Sequence, residues 1–160
     1  MRSSDACDGS VAGVHHVGAS VASLDDAVRF WKGLLGRPPR FLGRLERPYL
    51  GESVGYPGVV IDAALFDLPG GGLLELLDYQ VDGRTGASEE SFNPGHVHLC
   101  LAVDDCDAAW QRAVELGARP RREAGPVRVD AGPNEGARVA YLRVHDGISV
   151  ELYQPAAPRG

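Results

Sequence analysis

The chain has 160 residues, 44% of them hydrophobic, so it can bury a real core as one domain or as two small fused modules. Its formal net charge of -6 argues against a nucleic-acid partner, because binding phosphates requires a basic surface. No apolar run approaches the roughly 18 residues of a membrane span, and the first ten residues do not have the pattern of a signal peptide. Three cysteines without a CxxC pair favour a reducing compartment, so a cytoplasmic location is expected.

The chain begins with a predicted tail, strand and helix. Residues 1–12 are expected to form a flexible tail, whereas residues 14–21 alternate in polarity as a half-buried strand does. From Ser23, with Asp26 completing a plausible cap, the apolar residues follow a helical period that stops at Gly36. The inward stripe of this helix consists of Leu24, Ala27, Val28, Trp31, Leu34 and Leu35.

The rest of the first half predicts three further strands. Residues 37–58 are dense in Arg, Pro and Gly, and are expected to form an irregular strand and a mobile loop. Residues 59–68 and 73–79 are typical of strands joined by a Pro-Gly-Gly-Gly turn. The first module, residues 13–79, therefore has the predicted order βαβββ.

The second half repeats this order after a polar stretch. Residues 80–95 have the composition of a linker, and residues 96–155 form the second predicted module. This module begins with a strand at 96–103 and a helix at about 105–116. Three more strands are predicted, near 126–130, 137–144 and 148–154.

Equivalent positions of the two modules carry the same polar residues. His16 and His98 lie in the first strands, and Glu75 and Glu151 lie in the middle of the last strands. A duplicated unit of this size usually packs on its twin, because it cannot bury its sheet alone. We therefore expect an α+β fold in which two tandem βαβββ modules pack into a shared cleft of curved sheets, and one metal site at which the matched side chains meet.

The donor set indicates which ions such a site would hold. Imidazole nitrogens and carboxylate oxygens without a thiolate suit a divalent ion, namely Co, Mn, Ni, Fe, Zn or Mg. Four protein ligands around an octahedral ion would leave two positions for substrate oxygens. Of two adjacent histidines, alignment with His98 selects His16 over His15, because neighbouring strand residues face opposite ways. His96 lies two residues from His98 and is either a support for the site or an exposed histidine.

The motifs of the two halves identify a family. They are His16-Val17-Gly18, Leu74-Glu75-Leu76-Leu77, Pro94-Gly95-His96-Val97-His98 and Gly147-Ile148-Ser149-Val150-Glu151-Leu152. With these motifs, the span 14–155 resembles the vicinal oxygen chelate (VOC) superfamily, which groups glyoxalases, bleomycin-resistance proteins and extradiol dioxygenases. The resemblance implies that both modules form one VOC domain. It also implies four metal ligands, His16, Glu75, His98 and Glu151.

The resemblance further implies a reaction. VOC epimerases and lyases abstract a proton next to a carbonyl and stabilise the resulting enolate, so the chain is expected to be a metal-dependent epimerase, isomerase or lyase. Its substrate would be a small carbonyl compound or an acyl-CoA thioester, as in methylmalonyl-CoA epimerase. Glu75 and Glu151 would serve as ligand and base, and Glu52 falls near a further acid of those epimerases. Several of them carry Gln where this chain has Glu75, which favours a lyase or another isomerase.

Other functions remain open from the sequence. A lyase of the glyoxalase I type would act on glutathione hemithioacetals. An extradiol dioxygenase would use an acid–base tyrosine, for which Tyr141 is a candidate, although Glu75 would then fill a position that oxygen needs. A non-catalytic drug-binding resistance protein would typically lack the ligands. A homodimer with a small-molecule substrate is the expected assembly.

Cysteine and arginine side chains supply weaker candidates. Cys100 shares a face with His98, but a small buried hydrophobe is the expected role rather than a nucleophile. The arginines after each helix either clamp a carboxylate or phosphate or form a solvated basic edge. They are Arg37, Arg40, Arg44, Arg47, Arg119, Arg121 and Arg122.

Overall fold

Each half of the chain forms one sheet with a helix on its back. The computed structural model describes residues 11–86 and 88–158, so most of the predicted tail lies outside the described residues. The first module contains β1 (His16–Ser20), α1 (Leu24–Leu35), β2 (Phe41–Leu45), α2 (Pro48–Val54), β3 (Ile61–Asp67) and β4 (Leu73–Tyr79). The second contains β5 (His98–Ala102), α3 (Cys106–Glu115), β6 (Arg119–Pro120), β7 (Val127–Arg128), β8 (Arg138–Arg143), a 3-10 turn (His145–Gly147) and β9 (Ser149–Gln154).

Both sheets share one topology, which confirms the predicted fold class. The strand orders are β1-β4-β3-β2 and β5-β9-β8-β6, with β7 also paired to β8. In each sheet the first strand runs parallel to the last, and the other pairings are antiparallel. Parallel neighbours need a crossover connection, and α1 and α3 begin the two crossovers. The duplicated sequence therefore corresponds to a duplicated sheet.

Local side chains fix where the two crossover helices begin. The Ser23 hydroxyl accepts a hydrogen bond from the Asp26 amide at 3.3 Å, and the Asp105 carboxylate accepts one from the Ala108 amide at 3.0 Å. Each bond satisfies an amide that the first helical turn leaves free. Gly36 ends α1 with a φ of 68°, a conformation in which a side chain would be strained. The predicted cap and stop of the first helix are confirmed.

One apolar core joins the backs of the two sheets. Trp31 of α1 is fully buried, as are Leu76 of β4 and Leu152 of β9, and all three belong to the same cluster. Removing such side chains from water is the main favourable term in folding. Because this core lies between the helices and sheets, alternate strand residues face the opposite, concave side.

The structure corrects the prediction for the segment between β2 and β3. Residues 48–54, expected to belong to an irregular region with a mobile loop, form α2. Pro48 stands in its first turn and Gly55 ends it in the left-handed conformation, so residues that usually interrupt structure mark the two helix ends here. Val54 packs on a second apolar cluster with Val59 and Ile61.

The predicted strands of the second module also need correction. The strand near 126–130 is reduced to β7, Val127–Arg128, and an additional short strand, β6, precedes it. Gly125 and Gly132 adopt positive φ angles on either side of β7, which limits the length of the ladder.

A cleft separates the first strands of the two sheets. A cavity of about 490 Å³ is bordered by β1 on one side and β5 on the other, and Trp31 also lines it. Across residues 11–86 and 88–158, no helix is both long and apolar enough to cross a membrane.

Candidate metal centre

The first module brings His16 and Glu75 together on the concave face of its sheet. Gly18 lies opposite Glu75 in the parallel pairing of β1 and β4, and His16 is two residues before Gly18, so it shares that face. The Nε2 atom of His16 lies 3.5 Å from Oε2 of Glu75. A Cβ atom on Gly18 would lie 3.6 Å from the same oxygen. The glycine therefore leaves the space beside the carboxylate open.

The second module repeats the pair with a more crowded surrounding. The Nε2 atom of His98 lies 3.1 Å from Oε2 of Glu151. Tyr141 is the register partner of Glu151 on β8, and its hydroxyl oxygen lies 3.5 Å from His98 Nε2. The two rings meet edge to face, with centroids 5.2 Å apart. Cys100 flanks Glu151 on the other side, in the position that Gly18 occupies in the first module.

The environment of Glu151 keeps its neighbours protonated. Desolvation, followed by the hydrogen bond and charge of Glu151, raises the pKa of Tyr141 to about 12. Desolvation and then the same carboxylate raise the pKa of Cys100 to about 11. Cys100 is exposed in the chain, so its predicted burial is wrong; the reason is its position on the concave face. A thiol with so high a pKa is a poor nucleophile.

The two pairs do not meet within one chain. Among residues 11–86 and 88–158, no three His, Cys, Asp or Glu side chains are grouped closely enough to hold a metal ion. The structure therefore holds the four predicted donors as two separate His–Glu pairs, called half-sites below, rather than as one group of four.

Other predicted residues occupy separate positions. His15 contacts His16 through their Nδ1 atoms at 2.8 Å. His96 lies 2.9 Å from the hydroxyl of Ser149, a buried residue that is the register partner of His98. Glu52 is exposed on α2 and lines a cavity of about 910 Å³ whose lining includes neither Glu75 nor Glu151.

Comparison with known proteins identifies the family. Residues 13–152 match the model of the Glyoxalase/Bleomycin resistance protein/Dioxygenase superfamily. The chain belongs to this superfamily. Its members are the VOC proteins, so the resemblance inferred from the duplicated motifs is confirmed. The comparison with curated proteins gave no match.

Solved VOC structures share the fold at low sequence identity. A glyoxalase family protein from Bacillus cereus is 21% identical, with a TM-score of 0.80 over 95% of this chain and 99% of that one. FosX, a genomically encoded fosfomycin resistance protein from Listeria monocytogenes, is 13% identical, with a TM-score of 0.59 over 92% and 96%. Glyoxalase I from Zea mays is 22% identical, with a TM-score of 0.56 over 90% of this chain and 45% of that one. These similarities establish the fold.

The donors of this VOC chain fit a divalent ion. Members of the superfamily commonly use divalent metals. Each half-site here offers one imidazole nitrogen facing one carboxylate oxygen, a combination that suits borderline and hard ions.

Sequence reasoning did not predict two features around the second half-site. The sequence predicts Tyr141 only as a dioxygenase residue, whereas the structure pairs it with Glu151 across the β8–β9 hairpin. Arg143 is not among the predicted site residues, and it lies on β8 opposite Ser149. The alternation of β8 could have found both residues, because Tyr141 and Arg143 are two positions apart.

Proposed function

We propose that this VOC protein is a divalent-metal-dependent epimerase, isomerase or lyase that removes a proton next to a carbonyl or thioester group. The observation that carries the proposal is the repeated His–Glu pair, which stands on equivalent strands of both modules. A single pair of this kind is common on protein surfaces. Its repetition in register, in a fold whose members commonly use divalent metals, supports a functional site.

The proposed ligands are His16, Glu75, His98 and Glu151. A divalent ion, when bound, stabilises the negative charge that develops on the substrate oxygen.

The two carboxylates differ in the room around them, and this difference suggests their roles. Glu151 is enclosed by Tyr141 and Cys100, whereas Glu75 faces the open space over Gly18. A base must reach the carbon-bound proton within hydrogen-bond distance, so Glu75 is the better proton acceptor. The hydroxyl of Tyr141 keeps the Glu151 carboxylate in place. Glu52 lies on α2 and lines a cavity that neither Glu75 nor Glu151 reaches. Its role as a further acid stays a prediction.

A homodimer offers a way to join the half-sites. Among the described residues β1 pairs only with β4, and β5 only with β9, so each sheet has a free edge at its first strand. Val17 of β1 and Val97, the residue before β5, are 40% and 78% exposed. Unpaired strand edges favour association, and a twofold axis would place the same contact on both chains. We propose that His16 and Glu75 of one chain meet His98 and Glu151 of a second copy.

Metal content and solvent exchange together test the proposed reaction. Glu75→Gln and Glu151→Gln are each expected to lower the metal content and to abolish deuterium exchange at the α-carbon of acyl-CoA thioesters or glutathione hemithioacetals. Glu115→Gln, an exposed acid on α3, is the matched control and should change neither. Unchanged metal content in both variants would remove these acids from the ligand set. Glu52→Gln should slow exchange with full metal content if Glu52 is catalytic.

Mixing two defective chains tests the shared site. One chain carries His16→Ala with Glu75→Ala, and the other carries His98→Ala with Glu151→Ala. A heterodimer of the two has one intact site if the donors come from different chains, so mixing should restore metal binding. No recovery from mixed chains that demonstrably form heterodimers would place the site within one chain.

An extradiol dioxygenase is the second candidate, and the specific observation in its favour is the contact between Tyr141 and His98. Two histidines and one carboxylate would hold iron in such an enzyme. Oxygen consumption with catechols, dependent on Tyr141, would establish this alternative. Retention of both His–Glu pairs argues against a purely drug-binding role.

A further inference from the structure

Three arginines cluster on the concave face of the second sheet, beside the His98–Glu151 pair. Arg119 is the register partner of Arg143 in the pairing of β6 with β8. The Arg121 amide donates to the Tyr141 carbonyl at 3.0 Å, which continues this pairing. Register partners in antiparallel strands share a face, and Tyr141 faces Glu151. Arg143 is two positions from Tyr141 on β8, a separation of roughly 7 Å.

The linker between the modules lies across this arginine cluster. Oε1 of Glu89 lies 2.8 Å from Arg119, and Oε1 of Glu90 lies 2.8 Å from Arg143. Arg121 donates to the Glu89 carbonyl at 2.6 Å and lies 3.6 Å from the Glu90 carboxylate. Glu89 and Glu90 thus form an acidic linker pair that neutralises most of the cluster.

The arginines and the glutamates of this contact differ in their exposure to solvent. The side chains of Arg121 and Arg143 are only 21% and 24% exposed, whereas those of Glu89 and Glu90 are 40% and 47% exposed. The Nε atoms of Arg121 and Arg143 are buried and make no hydrogen bond. A guanidinium binds a carboxylate or phosphate best through two parallel N–H donors. These two Nε donors therefore stay unpaired while the linker pair covers the cluster.

The net charge of the arginines and the linker pair also favours an anionic ligand. Three guanidinium groups face two carboxylates, so the assembly keeps one positive charge. The Glu89 and Glu90 carboxylates are the exposed members of these ion pairs, so water solvates them readily when they leave the arginines. An anionic ligand could therefore displace the linker pair at small cost.

We propose that the arginine cluster binds the anionic group of the substrate, a carboxylate or a phosphate, and that Glu89 and Glu90 are its intramolecular competitor. The inference rests on the proposed function, since it places the anion roughly 7 Å along β8 from Tyr141 and Glu151. The substrate is then an oxyanion-bearing carbonyl or thioester compound. The linker pair occupies the arginine cluster when the substrate is absent and leaves the cluster when the substrate binds.

Anion binding by metal-free protein tests the proposal independently of catalysis. Inorganic phosphate and succinate, titrated calorimetrically at low salt, represent the two sources of the oxyanion. The Glu89→Gln, Glu90→Gln double variant should bind one of them about tenfold more tightly than the parent chain, if the linker pair is displaced about one tenth of the time. The tighter ligand identifies the anion.

Further variants test whether the arginine cluster binds anions or only stabilises the fold through its contacts with the linker. Arg121→Gln with Arg143→Gln, added to the double variant, should abolish the gain. Arg119→Gln, at a more exposed position, should weaken binding without affecting folding. Asp62→Asn, which frees Arg44 from an exposed ion pair, is the matched control and should create no anion site.

Two results would overturn the proposal. One is absence of binding in the folded Glu89→Gln, Glu90→Gln variant. The other is binding that neither Arg119→Gln nor the paired Arg121 and Arg143 changes affect. None of these substitutions should change the metal content of the protein. Failure of the anion-binding proposal therefore leaves the proposed metal site untouched.

Discussion

Trp31 of α1 donates its indole N–H to Nε2 of His145 at 3.2 Å, so a hydrogen bond joins the two modules. The acceptor nitrogen must be unprotonated to receive this bond. Desolvation lowers the pKa of His145 below its ordinary 6.5, against the smaller opposing effects of Asp146 and Asp26. The contact between the modules is therefore sensitive to acid.

Acidification should destabilise the chain through this histidine. Below pH 6.5 the unfolded chain takes up a proton that folded His145 resists, so the free energy of unfolding falls until the pH reaches the lowered pKa of the folded state. Urea unfolding at pH 7.5 and 5.5 measures the loss. His145→Gln should lose less stability over this interval, and an identical loss in both proteins would contradict the assignment.

Replacing Gly51 should destabilise α2 although alanine is the better helix former. A Cβ atom at position 51 would lie 2.8 Å from the Tyr56 carbonyl and 3.0 Å from the Gly58 amide nitrogen. These are backbone atoms, which cannot rotate away. We expect Gly51→Ala to cost about 1–3 kcal/mol in urea unfolding, against the roughly 1 kcal/mol that the change usually gains in a helix. Glu52→Ala, exposed on the same helix, is the control, and equal stability of the two variants would refute the argument.

Asp78 should matter more for stability than other acids of the first sheet. Its carboxylate accepts hydrogen bonds from the Leu24 amide at 3.2 Å and from Arg84 at 2.7 Å, and the residue is 9% exposed. Asp78→Ala leaves a buried donor unsatisfied and should cost about 2 kcal/mol. Asp67→Ala breaks the exposed pair with Arg40 and should cost no more than about 0.5 kcal/mol. Chemical denaturation compares them, and a similar loss in both would argue against the role of burial.

Removing the hydroxyl of Tyr141 should weaken metal binding without changing the fold. The ring contact with His98 is retained in Tyr141→Phe, but the hydroxyl that supports Glu151 and lies 3.5 Å from His98 is lost. Removing a group that orients a metal ligand commonly lowers the affinity for the metal by about tenfold or more. Titration with Co or Zn measures the change, with Tyr153→Phe as the tyrosine control. Parent-like affinity together with lost activity would instead make Tyr141 a catalytic residue.

The sequence predicts the parts of this fold that local patterns encode. Ser23 and Gly36 mark the ends of α1, and the parallel pairing of first and last strands makes the His16–Glu75 contact follow from the duplication. α2 was missed because its short run of residues is stabilised by packing of Val54 on Val59 and Ile61. The contacts of Glu89 with distant arginines were missed because they depend on how the linker crosses the sheet, and no periodicity records that path.

Gly18 and Cys100 stand in equivalent positions beside the two acids, but one contributes no side chain and the other a thiol. The duplicated backbone is thus symmetrical while the surfaces it presents are not. In the proposed shared site, a planar intermediate lying between Gly18 of one module and the Cys100 thiol and Tyr141 phenol of the other would meet a different environment on each face. That difference would be the physical condition for delivering a proton to one face only, and hence for handedness in the product.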